Sequence, residues 1–153
     1  MMELLSPAGG YEALVAAVQS GADAVYMGFG AFNARRGARN FTDEEFASAV
    51  QYCHLRGVRV FLTLNTLVTD RELPAAADAL RRANAMGVDA VLVQDWGLLA
   101  LAREIVPDLP LHASTQMSLF TLGGANEAAA LGRERVVLAR ELSRDEVREI
   151  CAG

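Results

Sequence analysis

Gly21-Ala22-Asp23-Ala24-Val25 recurs as Gly87-Val88-Asp89-Ala90-Val91, and the two copies decide the fold. Each sets a helix-stopping glycine, an aspartate suited to a turn and the start of an apolar strand at the same offsets. The repeated unit is therefore helix, turn, strand. Outward from the first copy, a helix from Tyr11 to Ser20 precedes it, with Leu14, Val15 and Val18 on one face. Before that helix, Glu3 to Ser6 forms a short strand stopped by Pro7 and Gly9-Gly10. After the copy, strand Ala24 to Met27 leads into a long connection, Gly28 to Asn40. Thr42 then caps a helix that runs to Gly57, with Glu45 completing a capping box.

Val58 to Leu64 reads as the third strand, ending at Asn65. Outward from the second copy, Asp70 opens a helix with Leu73, Ala76, Leu80 and Ala83 toward the core, closed by Gly87. Strand Ala90 to Val93 ends at Gln94-Asp95. A helix from Leu98 to Val106, a strand from Leu111 to Ala113, and a helix from Gly124 to Leu131 come next. A sixth strand covers Arg135 to Leu138, and Ser143 with Glu146 caps a last helix reaching Cys151. Six strand–helix units with strands too apolar to have a wet face predict an α/β fold built on parallel strands. The repeat favours a (β/α) TIM-type barrel over a doubly wound sheet, and no G-x-G-x-x-G fingerprint follows the first strand. A complete barrel needs eight units and about 250 residues. The 153 residues are thus expected to form a single partial barrel domain, residues 1–153, the N-terminal part of a longer protein.

Composition narrows the chemistry. The chain is 52% hydrophobic and 22% charged, with a formal net charge of −5, which describes a globular chain without a general nucleic-acid-binding charge. All 14 cationic residues are arginine, which excludes a Schiff-base lysine and the usual P-loop within this chain. Cys53 and Cys151 form neither a disulfide framework nor a metal motif, and both are expected to be buried small hydrophobes on helix faces. With His54 and His112 the only histidines, no metal site is expected from the usual zinc spacing. No stretch is long enough to span a bilayer and no secretory signal opens the chain, so a cytoplasmic location without membrane contact is expected.

Polar groups collect just past the strand ends, where barrels keep their active sites. Ser6, Asn65, Gln94-Asp95, Ser114-Thr115-Gln116 and Arg140-Glu141 all occupy such positions. His112-Ala113-Ser114-Thr115-Gln116 packs an imidazole, two hydroxyls and a carboxamide together. The plain alternative is that Ser114 and Thr115 cap the next segment of chain and His112 is a satisfied core histidine. The connection from Phe29 to Asn40 holds Asn33, Arg35, Arg36 and Arg39 with no acidic residue between Ala24 and Thr42. Arginine forks suit phosphate or carboxylate, and Phe32 and Phe41 suit a stacked base; the alternative is a solvated loop pairing with Asp95 or Glu141. Asp95 and Glu141 serve as general acid or base if they are buried near one another. His112 with Ser114 is a poor nucleophile pair, because no third group and no nucleophile elbow accompany them. Trp96 reads equally as a stacking platform at the rim or a lid over its helix.

Glu3-Leu4-Leu5-Ser6-Pro7-Ala8-Gly9, Gly21-Ala22-Asp23-Ala24-Val25-Tyr26, Phe32-Asn33-Ala34-Arg35, His112-Ala113-Ser114-Thr115-Gln116 and Val137-Leu138-Ala139-Arg140-Glu141-Leu142-Ser143 together resemble the collagenase-like peptidase family, peptidase family U32, over essentially the whole chain. The resemblance implies an (α/β) barrel core. It also implies either peptidase or collagenase activity, or oxygen-independent or prephenate-dependent hydroxylation of a transfer-RNA uridine, a ribosomal-RNA cytidine or the ubiquinone ring. Val93-Gln94-Asp95 and the block from His112 to Gln116 look most similar to the ribosomal-RNA cytidine branch. Hydroxylating members share cysteines that hold an iron–sulfur cluster, which Cys53 and Cys151 do not match; such a cluster requires cysteines from a longer protein.

The expectation is an RNA pyrimidine hydroxylation enzyme. His112, Asp95 and Glu141 are its candidate catalytic residues. Asn33, Arg35, Arg36, Arg39, Asn65, Gln94, Ser114, Thr115, Gln116 and Arg140 are its candidate substrate contacts. RNA is the expected substrate and a collagen-like peptide the alternative. A non-catalytic scaffold is the third reading, with a second copy or the remainder of the barrel as partner.

Overall fold

A computed structural model describes residues 2–30, 32, 41–132 and 134–153. The strands are β1 (Leu5–Pro7), β2 (Ala24–Met27), β3 (Arg59–Leu64), β4 (Ala90–Val93), β5 (Leu111–Ala113) and β6 (Arg135–Val136). The helices are α1 (Tyr11–Gln19), α2 (Asp43–His54), α3 (Leu73–Ala85), α4 (Trp96–Ile105), α5 (Leu122–Ala130) and α6 (Arg144–Ala152). All neighbouring strands pair in parallel, and they stand in sequence order from β1 to β6 with no reversal point. The predicted fold is the observed one: a curled half-barrel with helices on its outside.

Alternation along the strands divides the core into two layers. Val25, Met27, Val60, Leu62, Leu64, Val91, Val93 and Leu111 face the helices, packing with Leu14, Phe46, Leu80 and Leu98. Ala24, Phe61, Ala90 and Leu92 face the other way, joined by Leu5, Tyr26 and Val137 from both sides of the sheet. Apolar contact on the two faces of every central strand is why these strands read as unbroken apolar runs.

The repeated pentapeptide does the same work twice. Asp23 Oδ2 accepts from the Leu4 backbone N–H at 2.7 Å, and Asp89 Oδ2 accepts from the Val60 N–H at 2.7 Å. Each aspartate thereby ties the start of its own strand to the strand before it. Gly21 and Gly87 precede them at φ +87° and +82°, the left-handed conformation that ends α1 and α3 at little steric cost.

Several boundaries differ from the sequence reading. β1 spans Leu5–Pro7 rather than starting at Glu3, and α2 ends at His54. α3 begins at Leu73, not Asp70, because Pro74 has no N–H to donate to the Asp70 carbonyl. α4 begins at Trp96, since Asp95 is its cap, and α5 begins at Leu122 under Thr121. β6 is only two residues long, although Val137 N–H still donates to Ala113 C=O at 2.9 Å. Cys53 is buried as expected, whereas Cys151 is exposed near the end of α6, correcting its assignment to the core.

Candidate functional site at the strand ends

The pairing Leu64↔Val93 and Val93↔Ala113 puts Asn65, Gln94 and Ser114 level with one another, one residue beyond β3, β4 and β5. They continue the alternation of Phe61, Leu92 and His112, so they share the concave face. Asn65 Nδ2 donates to Ser114 Oγ at 3.2 Å across the end of β4. Ser114 Oγ also accepts from Gln116 N–H at 3.3 Å, closing a single 3₁₀ turn, Thr115–Met117. Ser114 thus caps the segment that follows it, as the plain alternative has it for this residue; Ser118 ends the turn at φ +54°, a left-handed position rare outside glycine. Thr66, which the sequence reading does not single out, has a buried hydroxyl with no hydrogen-bond partner among the described residues.

His112 lies one level deeper. Two residues along a strand separate it from Ser114 by about 6.6 Å, so the two do not form a nucleophile pair. Its ring stands edge-on to Phe61, centroids 4.8 Å apart and planes at 81°. Burial, and then the charges of Arg135 and Arg59 against an opposing pull from Glu3, press its pKa down to about 4. The imidazole is therefore neutral at pH 7. Beneath it, Glu3 bridges the two sides of the curl, pairing with Arg59 at 2.5 Å and Arg135 at 2.6 Å. Both guanidinium groups also lie over the Phe61 ring, at 5.7 and 5.4 Å. No local sequence signal announces this cluster, because its members come from opposite ends of the chain and from β3 between them.

Asp95 has a different occupation from the one its sequence position suggested. Its Oδ1 accepts from Leu98 N–H at 2.8 Å and its Oδ2 from Val68 N–H at 3.4 Å, so it caps α4 and anchors the loop after β3. Glu141 and Arg140 are exposed in the turn after β6. The buried Asp95–Glu141 acid–base pair is therefore not formed. Arg140 follows Ala139, whose N–H donates to Leu119 C=O at 3.0 Å, placing it beside the loop after β5. Asn33, Arg35, Arg36 and Arg39 lie outside the described residues. At the same end of the sheet, Gly9, Gly10, Tyr11, Phe41 and Glu45 line a cleft of about 420 Å³.

Burial, helped by Asp89, pushes the Cys53 thiol up to about 11, whereas Cys151 is exposed near the end of α6.

Parallel strands in sequence order, outer helices and polar groups gathered at the carboxyl ends of the strands define the architecture of the (β/α)-barrel enzymes. Residues 9–153 match peptidase family U32, and the chain belongs to that family. It is 41% identical over 149 residues to a 23S rRNA 5-hydroxycytidine synthase of Escherichia coli, covering 97% of this chain and 22% of that protein. A tRNA hydroxylation protein of Bacillus subtilis is 36% identical and a collagenase of Porphyromonas gingivalis 34%, each covering 97% of this chain and 35% of the relative. The chain thus spans about a fifth to a third of the length of these relatives. The solved structure of a U32 peptidase superposes with a TM-score of 0.78 at 19% identity, over 99% of this chain and 65% of that one.

Proposed function

We propose that this chain is the substrate-binding part of the barrel in an enzyme that hydroxylates an RNA pyrimidine, ribosomal-RNA cytidine before transfer-RNA uridine. The observation that carries the reading is the level trio Asn65, Gln94 and Ser114, with the Asn65–Ser114 hydrogen bond fixing the carboxamide at the barrel mouth. Amide and hydroxyl groups at a strand-end floor both donate and accept, as recognition of a base edge requires. Relatives named for RNA hydroxylation, one at 41% identity, support the same substrate class. In this reading His112 is a neutral group under the pocket floor, and Asp95 positions the loops around it. The arginines Arg35, Arg36 and Arg39 supply phosphate contacts, and Arg140 flanks the opening. The residues 1–153 act as one partial barrel within a longer cytoplasmic protein, whose remainder closes the sheet and supplies any cluster cysteines.

The collagenase relative keeps peptide hydrolysis in view. Against it, the Ser114 hydroxyl is engaged with Asn65 and Gln116 rather than with an imidazole base. Binding separates the two readings. Replacing Arg35 and Arg36 with Gln is expected to weaken binding of single-stranded RNA and to reduce its salt dependence. Unchanged RNA binding overturns the phosphate assignment, and cleavage of denatured collagen by the purified protein overturns the RNA reading.

A further inference from the structure

Three consecutive loops at the carboxyl end of the sheet share one order. Each gives a polar residue level with the others, Asn65, Gln94 or Ser114, and then a large apolar residue left exposed, Leu67, Trp96 or Phe120. Leu67 is 68% exposed, Trp96 55% and Phe120 45%, in a chain whose central-strand apolar residues are almost all buried. The first two loops are tied together next to these residues: Val68 N–H, one position after Leu67, donates to the Oδ2 of Asp95, one position before Trp96, at 3.4 Å. The third loop is tied in by the Asn65–Ser114 bond.

From this arrangement we infer that Trp96 is the stacking platform for a nucleobase of a single-stranded RNA segment whose edge meets Asn65 and Gln94, with the buried Ser114 orienting Asn65 beneath them. The inference rests on the RNA reading above. A base presents two chemistries, an apolar π-face and a hydrogen-bonding edge, and the loops offer a surface for each in adjoining positions. Completion of the barrel by further chain does not call for an exposed tryptophan here. The strands available for further pairing are β1 and β6, whereas Trp96 follows β4 in the middle of the sheet. Asp95, by capping α4 and holding Val68, fixes the helix terminus on which Trp96 stands.

Trp96 is the chain's sole tryptophan, so its emission reports on it alone. The test titrates the protein with a pyrimidine-rich single-stranded RNA oligonucleotide, reading tryptophan emission with unlabelled RNA and anisotropy with an end-labelled copy. The expected result is saturable quenching with the same midpoint as the anisotropy change. Trp96→Leu is expected to weaken binding roughly 5- to 100-fold while Trp96→Phe retains most of it. Both variants should keep the wild-type far-ultraviolet circular dichroism, since the side chain is exposed. RNA binding by anisotropy without quenching, with Trp96→Leu binding as wild type, overturns the platform and leaves the RNA reading standing. No anisotropy change at all overturns both.

Discussion

The Asn65 carboxamide donates to the Ser114 hydroxyl at 3.2 Å, joining the ends of β3 and β5 across β4. Ser114 is only 2% exposed, so its hydroxyl serves two donors, Asn65 Nδ2 and Gln116 N–H, away from bulk water. Ser114→Ala is expected to lower stability by about 1 kcal/mol in urea unfolding, the usual size of a lost buried hydrogen bond. Substrate binding should fall further than stability does, because the Asn65 carboxamide loses its bond to Ser114 at the pocket floor. Equal binding by the variant would remove the pair from the site.

The two aspartates of the repeat make the same contact, and their replacements should have comparable effects. Asp23→Ala and Asp89→Ala are each expected to cost about 1–2 kcal/mol, from loss of a charge-assisted bond to a backbone N–H. Asp89→Ala should cost more, since Asp89 also meets His54 at 2.9 Å. Urea midpoints measured on the two variants check this order.

His112 makes stability depend on pH. Its folded pKa of about 4 lies below the ordinary 6.5, so between those values the unfolded chain holds more protons than the folded one. The stabilisation is therefore complete above pH 6.5 and lost as pH falls toward 4, by roughly 3 kcal/mol in all. His112→Gln should flatten this part of the profile. A wild-type profile with no fall in that range would contradict the buried neutral imidazole.

Glu3 is the one nearby charge that favours the imidazolium. Glu3→Gln is expected to push the His112 pKa lower still, read by NMR titration of the ring protons. It should also cost about 1–2 kcal/mol, because Arg59 and Arg135 are left near one another without their shared carboxylate.

Much of the fold was legible because its signals are local. The glycine–aspartate repeat, the Thr42–Glu45 and Ser143–Glu146 capping boxes and the apolar strand runs each lie within a few residues; the repeat and both boxes form as read, and all six strands form, with the ends of β1, β3 and β6 shifted. Strand ends likewise predicted the level of Asn65, Gln94 and Ser114. What escaped depends on contacts distant in sequence. The Glu3–Arg135 pair spans 132 positions, and Asp95's second bond, to Val68, spans 27. A carboxylate following a strand reads the same whether it caps a helix or meets a substrate; only its partners separate the two. Cys151 was misplaced because α6 packs only partly: Val147 and Ile150 are half-buried and the helix has no fully buried residue.

The cysteines therefore differ in reactivity. In native protein a thiol-reactive dye should label Cys151 rapidly, while Cys53, buried and with its thiol raised to about 11, reacts only on unfolding. Peptide mapping of the labelled protein gives the sites.

The proposal that this U32 protein acts in RNA hydroxylation is tested most directly by nucleoside mass spectrometry of ribosomal and transfer RNA from cells with and without its gene. A hydroxylated pyrimidine is expected to disappear from the deletion strain and to return with the wild-type gene, but not with a copy carrying Ser114→Ala and Trp96→Leu. An unchanged nucleoside profile in the deletion strain would contradict it.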